Sequence, residues 1–339
     1  MLSRRKAIEL LGAGGAASAA GLLGARAQTP QKLQTPQAPR SYAPGSRNYA
    51  QMGGMANPRR PGRKNVLAWG DVRNGFQHDS VSHAFSVIEE LGYTSKIYDT
   101  YIRTDSQPIT KHGLFGSDGQ AVYGHDLRDF DAIFFFGVRE IDLTAEQRAD
   151  LMSFIHDDGK AFIAAHAAAT AFMSWPEFGA MLGGRFANHP WGVVEAPVIV
   201  EDRHFPATSF FPPAFLLTDE MYQIVDYSRR DLDVLLRLDT SHLNLHLPSI
   251  QNHNGDFPLA WAKRFGKGRV FYSAIGHART TWDIPDIQRM YFEAILWGLG
   301  LNGDPGIAPH PERPATAPPV TLPGPIAACV PDWARKGTV

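Results

Sequence analysis

Short hydrophobic runs alternate with amphipathic segments over most of the chain. Val66–Gly70, Asp131–Gly137 and Ala161–Ala165 are apolar runs of strand length, and such runs are typical of strands buried in a parallel sheet. Between them, Ser80–Leu91 and Leu143–Asp157 carry apolar residues at helical spacing. This order predicts an α/β fold with a mostly parallel sheet and helices on both faces.

Local signals predict where several elements begin and end. Gly92 is expected to close the first helix at its C′ position. A second strand is predicted over Ser95–Tyr98, followed by a polar insertion over 99–126. Thr144 and Gln147 form a capping box that starts the next helix.

The run Ala161–Ala165 leads directly into His166, which is surrounded by small residues. A buried strand followed by a tight turn and a helix is the place where α/β hydrolases and amidotransferases hold a nucleophile. The pattern therefore favours a functional role for His166. A structural histidine that is hydrogen-bonded to nearby backbone explains the same pattern.

The second half of the predicted domain is richer in strands. Val193–Val200 and Leu232–Leu238 read as strands, and Gly266–Gly268 predicts a hairpin turn between two further strands. Asp219 and Glu220 interrupt an apolar context. These two carboxylates either brace a backbone turn or face a cleft.

Composition excludes several classes of function. The 339 residues include 33 Lys and Arg against 34 Asp and Glu, so no net charge favours nucleic acid or an anionic membrane. Cys329 is the only cysteine and lies in a proline-rich tail. An intrachain disulfide, a cysteine-based metal cluster and a thiol nucleophile in the folded body are therefore excluded.

The N-terminal residues are typical of an export signal. Arg4 and Arg5 precede a Gly/Ala-rich segment, and Ala25–Ala27 is a small-x-small cleavage site. We expect a twin-arginine signal peptide over 1–27, and a periplasmic or secreted protein with no transmembrane segment in the mature chain. A proline-rich linker over 28–63, a globular domain over 64–300 and a proline-rich tail over 301–339 complete the predicted organisation.

Several segments together resemble the ThuA-like (trehalose utilisation) family. The resemblance rests on His78–Ser80, Leu143–Gln147, Ala165–Ala168, Leu182–Phe186, His189–Pro190, Leu217–Tyr222, Pro258–Trp261 and Gly268–His277. It implies a variant of the class I glutamine amidotransferase fold, a flavodoxin-like three-layer sandwich. Amidotransferases of this fold carry a cysteine at the elbow, where this chain has His166. Without that thiol no thioester can form, so glutamine hydrolysis is excluded.

The resemblance also implies a role in saccharide metabolism. We expect a saccharide or an oxidised keto-saccharide as ligand, with a sugar oxidoreductase acting upstream. His166 and His277 are the predicted core of the site, because imidazoles transfer protons near neutral pH. Glu220 is expected to be a third catalytic group in the same cleft. The residues expected to bind substrate are His78, Asp79, His189, Trp175, Trp191 and Tyr222. Asp79 also fits a helix cap, and each tryptophan also fits core packing.

The sequence does not identify a cofactor. The sequence has no nucleotide-binding motif, and a divalent metal such as Zn²⁺ is compatible with its histidines. His78, His166, His189 and His277 are the candidate ligands, all from separate segments.

Three functions remain as hypotheses. An enzyme that isomerises or cleaves an oxidised glycoside by acid–base chemistry is the first. A periplasmic saccharide-binding or accessory subunit without catalysis is the second. A serine hydrolase built on Ser80 or Ser273 is the weakest, because neither serine lies in a G-x-S-x-G elbow.

Overall fold

The computed structural model describes residues 60–75, 77–122, 124–241 and 243–309. The described strands are β1 (Lys64–Trp69), β2 (Tyr98–Arg103), β3 (Leu114–Phe115), β4 (Ala121–Val122), β5 (Ala132–Phe135), β6 (Ala161–Ala165), β7 (Arg185–Asn188), β8 (Val193–Val200), β9 (Ala214–Glu220), β10 (Gln223–Val225), β11 (Asp233–Leu238), β12 (Pro258–Phe265) and β13 (Gly268–Ser273). The helices are α1 (Ser80–Ser95), α2 (Ala145–His156), α3 (Pro176–Leu182), α4 (Arg279–Trp282) and α5 (Pro285–Gly298).

The predicted signal peptide, nearly all of the predicted linker, and Cys329 lie outside the described residues. The proposed export signal and domain boundaries therefore stay predictions. Among the described helices, none combines the length and the apolar character that crossing a membrane requires.

Nine strands form one large sheet in the order β2-β1-β5-β6-β13-β12-β11-β8-β9. The first five strands in this order are parallel to one another. The remaining four add to them in antiparallel pairs. The predicted α/β fold class is confirmed, and so is the hairpin between β12 and β13.

Two neighbouring aromatic residues of β5 show the layers on either side of the sheet. Successive residues of a strand point to opposite faces. Phe134 packs its ring against Trp282 of α4 and Tyr291 of α5, whereas Phe135 packs against Phe178 of α3. All five side chains are buried, so an apolar core lies on each face of the sheet, as the sequence predicted.

Local start signals are confirmed at α2. The Thr144 hydroxyl accepts from the backbone N–H of Gln147, and the Gln147 side chain accepts from the N–H of Thr144. The predicted capping box is therefore present, and α2 ends at His156, one residue before the predicted end.

The predicted end of the first helix is wrong. Gly92 lies inside α1, and Lys96 is the residue that adopts the left-handed conformation at the C-terminal end. A Cβ at Gly92 would lie 2.4 Å from the ring of Tyr98, so the glycine is needed for close packing. The predicted strand Ser95–Tyr98 is also misplaced, because α1 continues to Ser95 and β2 begins only at Tyr98.

Candidate functional site

Three histidines follow three parallel strands of the sheet. His78 lies in the loop after β1, His166 directly after β6, and His277 shortly after β13. The carboxyl ends of parallel strands meet at the same edge of a sheet, where open α/β sheets bind ligands. The topology therefore brings these three imidazoles to one place.

The elbow at His166 has an unusual backbone conformation. Its φ angle is 43°, in the left-handed region that costs energy for a residue other than glycine, and such strain is concentrated at functional sites. The Tyr272 hydroxyl donates to the His166 carbonyl oxygen at 2.8 Å. A 3₁₀ turn over His166–Thr170 follows, and alanines fill the buried space around it.

The ring of His166 is held at both nitrogens. Nδ1 lies 2.6 Å from the carbonyl oxygen of Ala274, and because a carbonyl only accepts, Nδ1 carries the proton of this bond. Nε2 faces the Tyr222 hydroxyl at 2.9 Å and Nδ1 of His277 at 3.3 Å. The Ala274 carbonyl therefore orients Nε2 toward the other imidazoles.

Glu220 places a carboxylate between these rings. Its Oε2 lies 3.2 Å from His277 Nδ1 and 3.5 Å from His166 Nε2, while Oε1 lies 3.6 Å from Nε2 of His189. Burial alone would raise the pKa of Glu220, but the hydrogen bond to His166 and the charges of His277, His166 and His189 outweigh burial and lower the pKa to about 2. Glu220 is therefore ionised at neutral pH.

The neighbouring carboxylate has a different function. Asp219 is buried and accepts from the backbone N–H groups of Glu220, Gly276 and His277. Burial raises the pKa of Asp219, although the charges of His166 and His277 and the hydrogen bonds from Gly276 and Glu220 act in the opposite direction. Of the two roles considered for the acidic pair, Asp219 takes the bracing role and Glu220 faces the histidines.

His78 closes the group from the side of β1. Its ring centre lies 4.9 Å from that of His166 and 5.0 Å from that of His277, nearly perpendicular to both. Burial and the neighbouring charges of His166 and His277 lower the pKa of His78 to about 4. His78 is therefore neutral at physiological pH and retains a lone pair.

Four of these residues form one compact group, which we call the histidine cluster: His78, His166, Glu220 and His277. One nitrogen or oxygen atom from each lies within 4.8 Å of those of the other three. Imidazole nitrogens and a carboxylate oxygen at such distances can transfer protons among themselves or hold a divalent cation.

The ThuA family profile, described as trehalose utilisation, matches residues 65–298. The chain belongs to the ThuA family. This membership relates it to carbohydrate utilisation and confirms the resemblance seen in the sequence. No curated protein matches the chain.

Two solved structures share the ThuA fold. A ThuA-like protein from Bacteroides uniformis is 21% identical with a TM-score of 0.57, and the match covers 75% of this chain and 98% of that chain. A ThuA-like protein from Parabacteroides merdae is 16% identical with a TM-score of 0.51, covering 70% of this chain and 90% of that chain. At these identities the likeness shows the common fold.

Two of the aromatic residues predicted to stack on a sugar are buried in this ThuA protein. Trp175 packs on Phe172 and Phe178 and is 6% exposed, so it has the core-packing role that the sequence left open. Tyr222 is also buried, between His166 and Phe186. Its hydroxyl contacts the histidine cluster, but its ring has no face open to a sugar.

The other three residues predicted to bind substrate are exposed to different degrees. Asp79 is exposed at the N-terminus of α1 and makes no capping hydrogen bond through its side chain. His189 is half-exposed next to Glu220. Trp191 is partly exposed, with Nε1 donating to the carbonyl oxygen of Asn244 and its ring against Phe257.

Both serines of the serine hydrolase hypothesis are buried and engaged elsewhere. Ser80 donates to the carbonyl oxygen of Gly276, and Ser273 accepts from the backbone N–H of Ile275. In the described chain neither hydroxyl lies in the histidine cluster. The site residues that the sequence did not reveal are supporting ones, chiefly Ala274 and Tyr272, which hold His166 through backbone and side-chain hydrogen bonds.

Proposed function

We propose that the protein is an enzyme that acts on an oxidised saccharide and moves a proton at the carbon next to the sugar's ketone. The observation that carries this proposal is the meeting of His166, His277 and Glu220 within 3.5 Å of one another at the carboxyl edge of the parallel strands. Family membership in carbohydrate utilisation supports the class of substrate.

The ketone determines the chemistry. A C–H bond beside a carbonyl is acidified because the electron pair left behind spreads onto the carbonyl oxygen. A nearby imidazole that takes this proton turns the ketone into an enolate. If that carbon bears a hydroxyl, its O–H proton passes to the former carbonyl oxygen, and the abstracted proton returns to the former carbonyl carbon, so the ketone moves by one position along the ring. If a glycosidic oxygen lies β to the ketone, its C–O bond breaks instead, and the departing alcohol takes up a proton.

Exposure indicates which imidazole takes the proton. The side chain of His166 is fully buried, whereas those of His277 and His189 are 30% and 50% exposed. A sugar can therefore approach His277 or His189 directly, and we assign the base to one of these two. His166 acts on the sugar through His277 and Glu220.

Glu220 prepares this site for a neutral substrate. Its carboxylate is ionised and contacts both His277 and His189. A carboxylate beside an imidazole orients the ring and stabilises the imidazolium that forms when the ring takes a proton. The contact with Glu220 would stabilise the protonated form of whichever of these two histidines acts as the base.

An upstream partner follows from the substrate. A ketone on a sugar ring arises by oxidation of a secondary alcohol, so we propose that a sugar oxidoreductase supplies the substrate. Export through the predicted signal would place both steps outside the cytoplasm.

The test uses native and 3-keto disaccharides incubated with the protein, with products identified by mass spectrometry. We expect new products from keto-disaccharides only, and solvent deuterium at the carbon next to the ketone. His277→Ala and His189→Ala should each be compared with His156→Ala, an exposed histidine at the end of α2. Loss of turnover in either of the first two variants, with full activity in the third, supports the proposal.

Two results would overturn it. Turnover of native and oxidised sugars at equal rates would remove the role of the ketone. Saccharide binding without product or deuterium exchange on long incubation would favour the non-catalytic binding subunit.

A further inference from the structure

We propose that the histidine cluster is a binding site for a divalent transition metal of the Zn²⁺ class, with His78, His166, Glu220 and His277 as ligands. The sequence left His189 as a candidate ligand beside the other three histidines. The compact group of donor atoms contains Glu220 and not His189, so we assign Glu220 in its place. The metal site rests on geometry and does not depend on the proposed reaction.

Three atoms of the cluster form a nearly equilateral triangle. His166 Nε2 and His277 Nδ1 are 3.3 Å apart, and Glu220 Oε2 lies 3.2 Å from His277 Nδ1 and 3.5 Å from His166 Nε2. Ligand atoms of a tetrahedral ion with bonds of about 2.1 Å are about 3.4 Å apart. The centre of the triangle lies about 1.9 Å from each corner, so an ion just above its plane reaches all three at normal bond lengths.

His166 presents Nε2 to this triangle because its Nδ1 donates to the carbonyl oxygen of Ala274. In that tautomer Nε2 bears the lone pair that a metal ion requires. The Tyr222 hydroxyl lies 2.9 Å from the same nitrogen, so a bound ion would replace the hydrogen bond between Tyr222 and His166.

The surroundings of the cluster resemble those of known metal sites. A histidine that binds metal usually donates its other ring N–H to a carbonyl or carboxylate, which fixes the tautomer and the ring. Ala274 does this for His166 at 2.6 Å. Asp219 holds the backbone of Glu220 and of His277 through their N–H groups. Three of the four ligands are thus fixed by a second layer of hydrogen bonds.

The donor set selects the class of cation. Three imidazoles and one carboxylate suit Zn²⁺, Mn²⁺, Fe²⁺, Co²⁺ or Ni²⁺. Ca²⁺ and Mg²⁺ prefer sites made almost wholly of oxygen. We therefore expect selective binding of the first group.

A bound cation would assign the roles left open in the proposed reaction. Its charge would hold the oxygen of the ketone as that oxygen becomes negative. With His277 serving as a ligand, the base would be His189, which is half-exposed and 3.6 Å from Oε1 of Glu220. This assignment rests on the proposed function, whereas the metal site does not.

The test measures binding of metal alone to the untagged, full-length chain after chelator treatment. Elemental analysis should find one Zn²⁺ per chain, and Co²⁺ should give the visible absorption of a site with nitrogen ligands. Loss of a partner in the second layer weakens metal sites about 10- to 100-fold. We expect His277→Ala and Glu220→Ala to weaken Zn²⁺ binding by more than about 100-fold, and His189→Ala by less than about 10-fold.

The control variant is His156→Ala, which should bind Zn²⁺ like the wild type. If either ligand variant fails to fold, as judged by circular dichroism, the Co²⁺ spectrum of the wild type and its selectivity over Mg²⁺ still decide the question. The proposed metal site would be contradicted if the wild type showed no saturable Zn²⁺ binding, or if a folded His277→Ala variant bound Zn²⁺ with unchanged affinity. Metal binding without turnover of keto-sugars would overturn only the reaction.

Discussion

The backbone N–H of His277 donates to Oδ1 of Asp219 at 3.1 Å. Asp219 also accepts from Gly276 at 2.7 Å and from Glu220 at 2.8 Å. One buried carboxylate therefore ties the end of β9 to the turn after β13, and the two site residues His277 and Glu220 are positioned through it. Gly276 is required in that turn, because its φ of 135° is strained for any side chain.

Asp219→Asn should lower both stability and activity. The amide keeps one accepting oxygen but places N–H donors against the backbone N–H groups. We expect the free energy of unfolding, measured in urea, to fall by about 1–3 kcal/mol. Turnover of a keto-disaccharide should fall mainly in kcat, because Asp219 is buried and does not reach the sugar. Asp231→Asn, at an exposed carboxylate, should change neither quantity, and an unchanged Asp219→Asn would contradict this bracing role.

Two buried tyrosines allow a matched comparison. The Tyr222 hydroxyl contacts Nε2 of His166 at 2.9 Å, and the Tyr98 hydroxyl donates to the carbonyl oxygen of Ile88 at 3.0 Å, between β2 and α1. Each Tyr→Phe change should lower the free energy of unfolding by about 1 kcal/mol, because each removes one hydrogen bond. Only Tyr222→Phe should also lower turnover, by roughly 10-fold. Equal turnover in the two variants would show that the hydroxyl of Tyr222 has a structural role alone.

Elements set by neighbouring residues could be predicted from the sequence. The strand Ala161–Ala165 agrees with its predicted bounds, and the capping box of Thr144 and Gln147 is present. Both depend on contacts within a few residues of the chain. The positions of His78 and His166 at one sheet edge also followed, because each comes after a predicted strand, whereas His277 was expected there from the family resemblance.

The place of Glu220 could not be predicted in the same way. It ends β9, an edge strand with three strands between it and β13 in the sheet, yet Oε2 lies 3.2 Å from His277 Nδ1. This contact depends on antiparallel pairings between segments far apart in sequence, which periodicity does not reveal. The residue pattern therefore left the role of Glu220 as brace or cleft residue open, and only the family resemblance led us to expect Glu220 in the site.

The predicted export signal can be tested independently of the fold. Arg4 and Arg5 precede the Gly/Ala-rich segment, and twin arginines are the feature that an export receptor reads. Replacing both with lysine keeps the charge and should remove the protein from the periplasmic fraction, as judged by fractionation and immunoblotting. Single replacement of Lys6 by arginine should leave export intact. Export of the double lysine variant at the wild-type level would exclude the twin-arginine route.

The carboxylate of Asp131, just before β5, should make the stability of the protein depend on pH in the acidic range. Asp131 accepts from the backbone N–H of Asn65 at 3.0 Å and from Lys160 Nζ at 3.2 Å. Burial alone would raise the pKa of Asp131, but these two hydrogen bonds and the charge of Lys160 lower it below its usual range. The stabilisation is therefore complete above the pKa of the unfolded chain, about 3.9, and is lost as the pH falls through the lower pKa of the folded protein.

Asp131→Asn should remove that dependence. The free energy of unfolding near pH 7 should fall by about 1 kcal/mol, because Lys160 loses its charged partner. Urea titrations between pH 7 and pH 3 should show a smaller loss of stability in the variant than in the wild type, so that the two curves converge at low pH. Asp142→Asn, at an exposed position, should follow the wild-type curve. A constant gap between wild type and Asp131→Asn down to pH 3 would mean that the carboxylate stabilises β5 by packing and not through its charge.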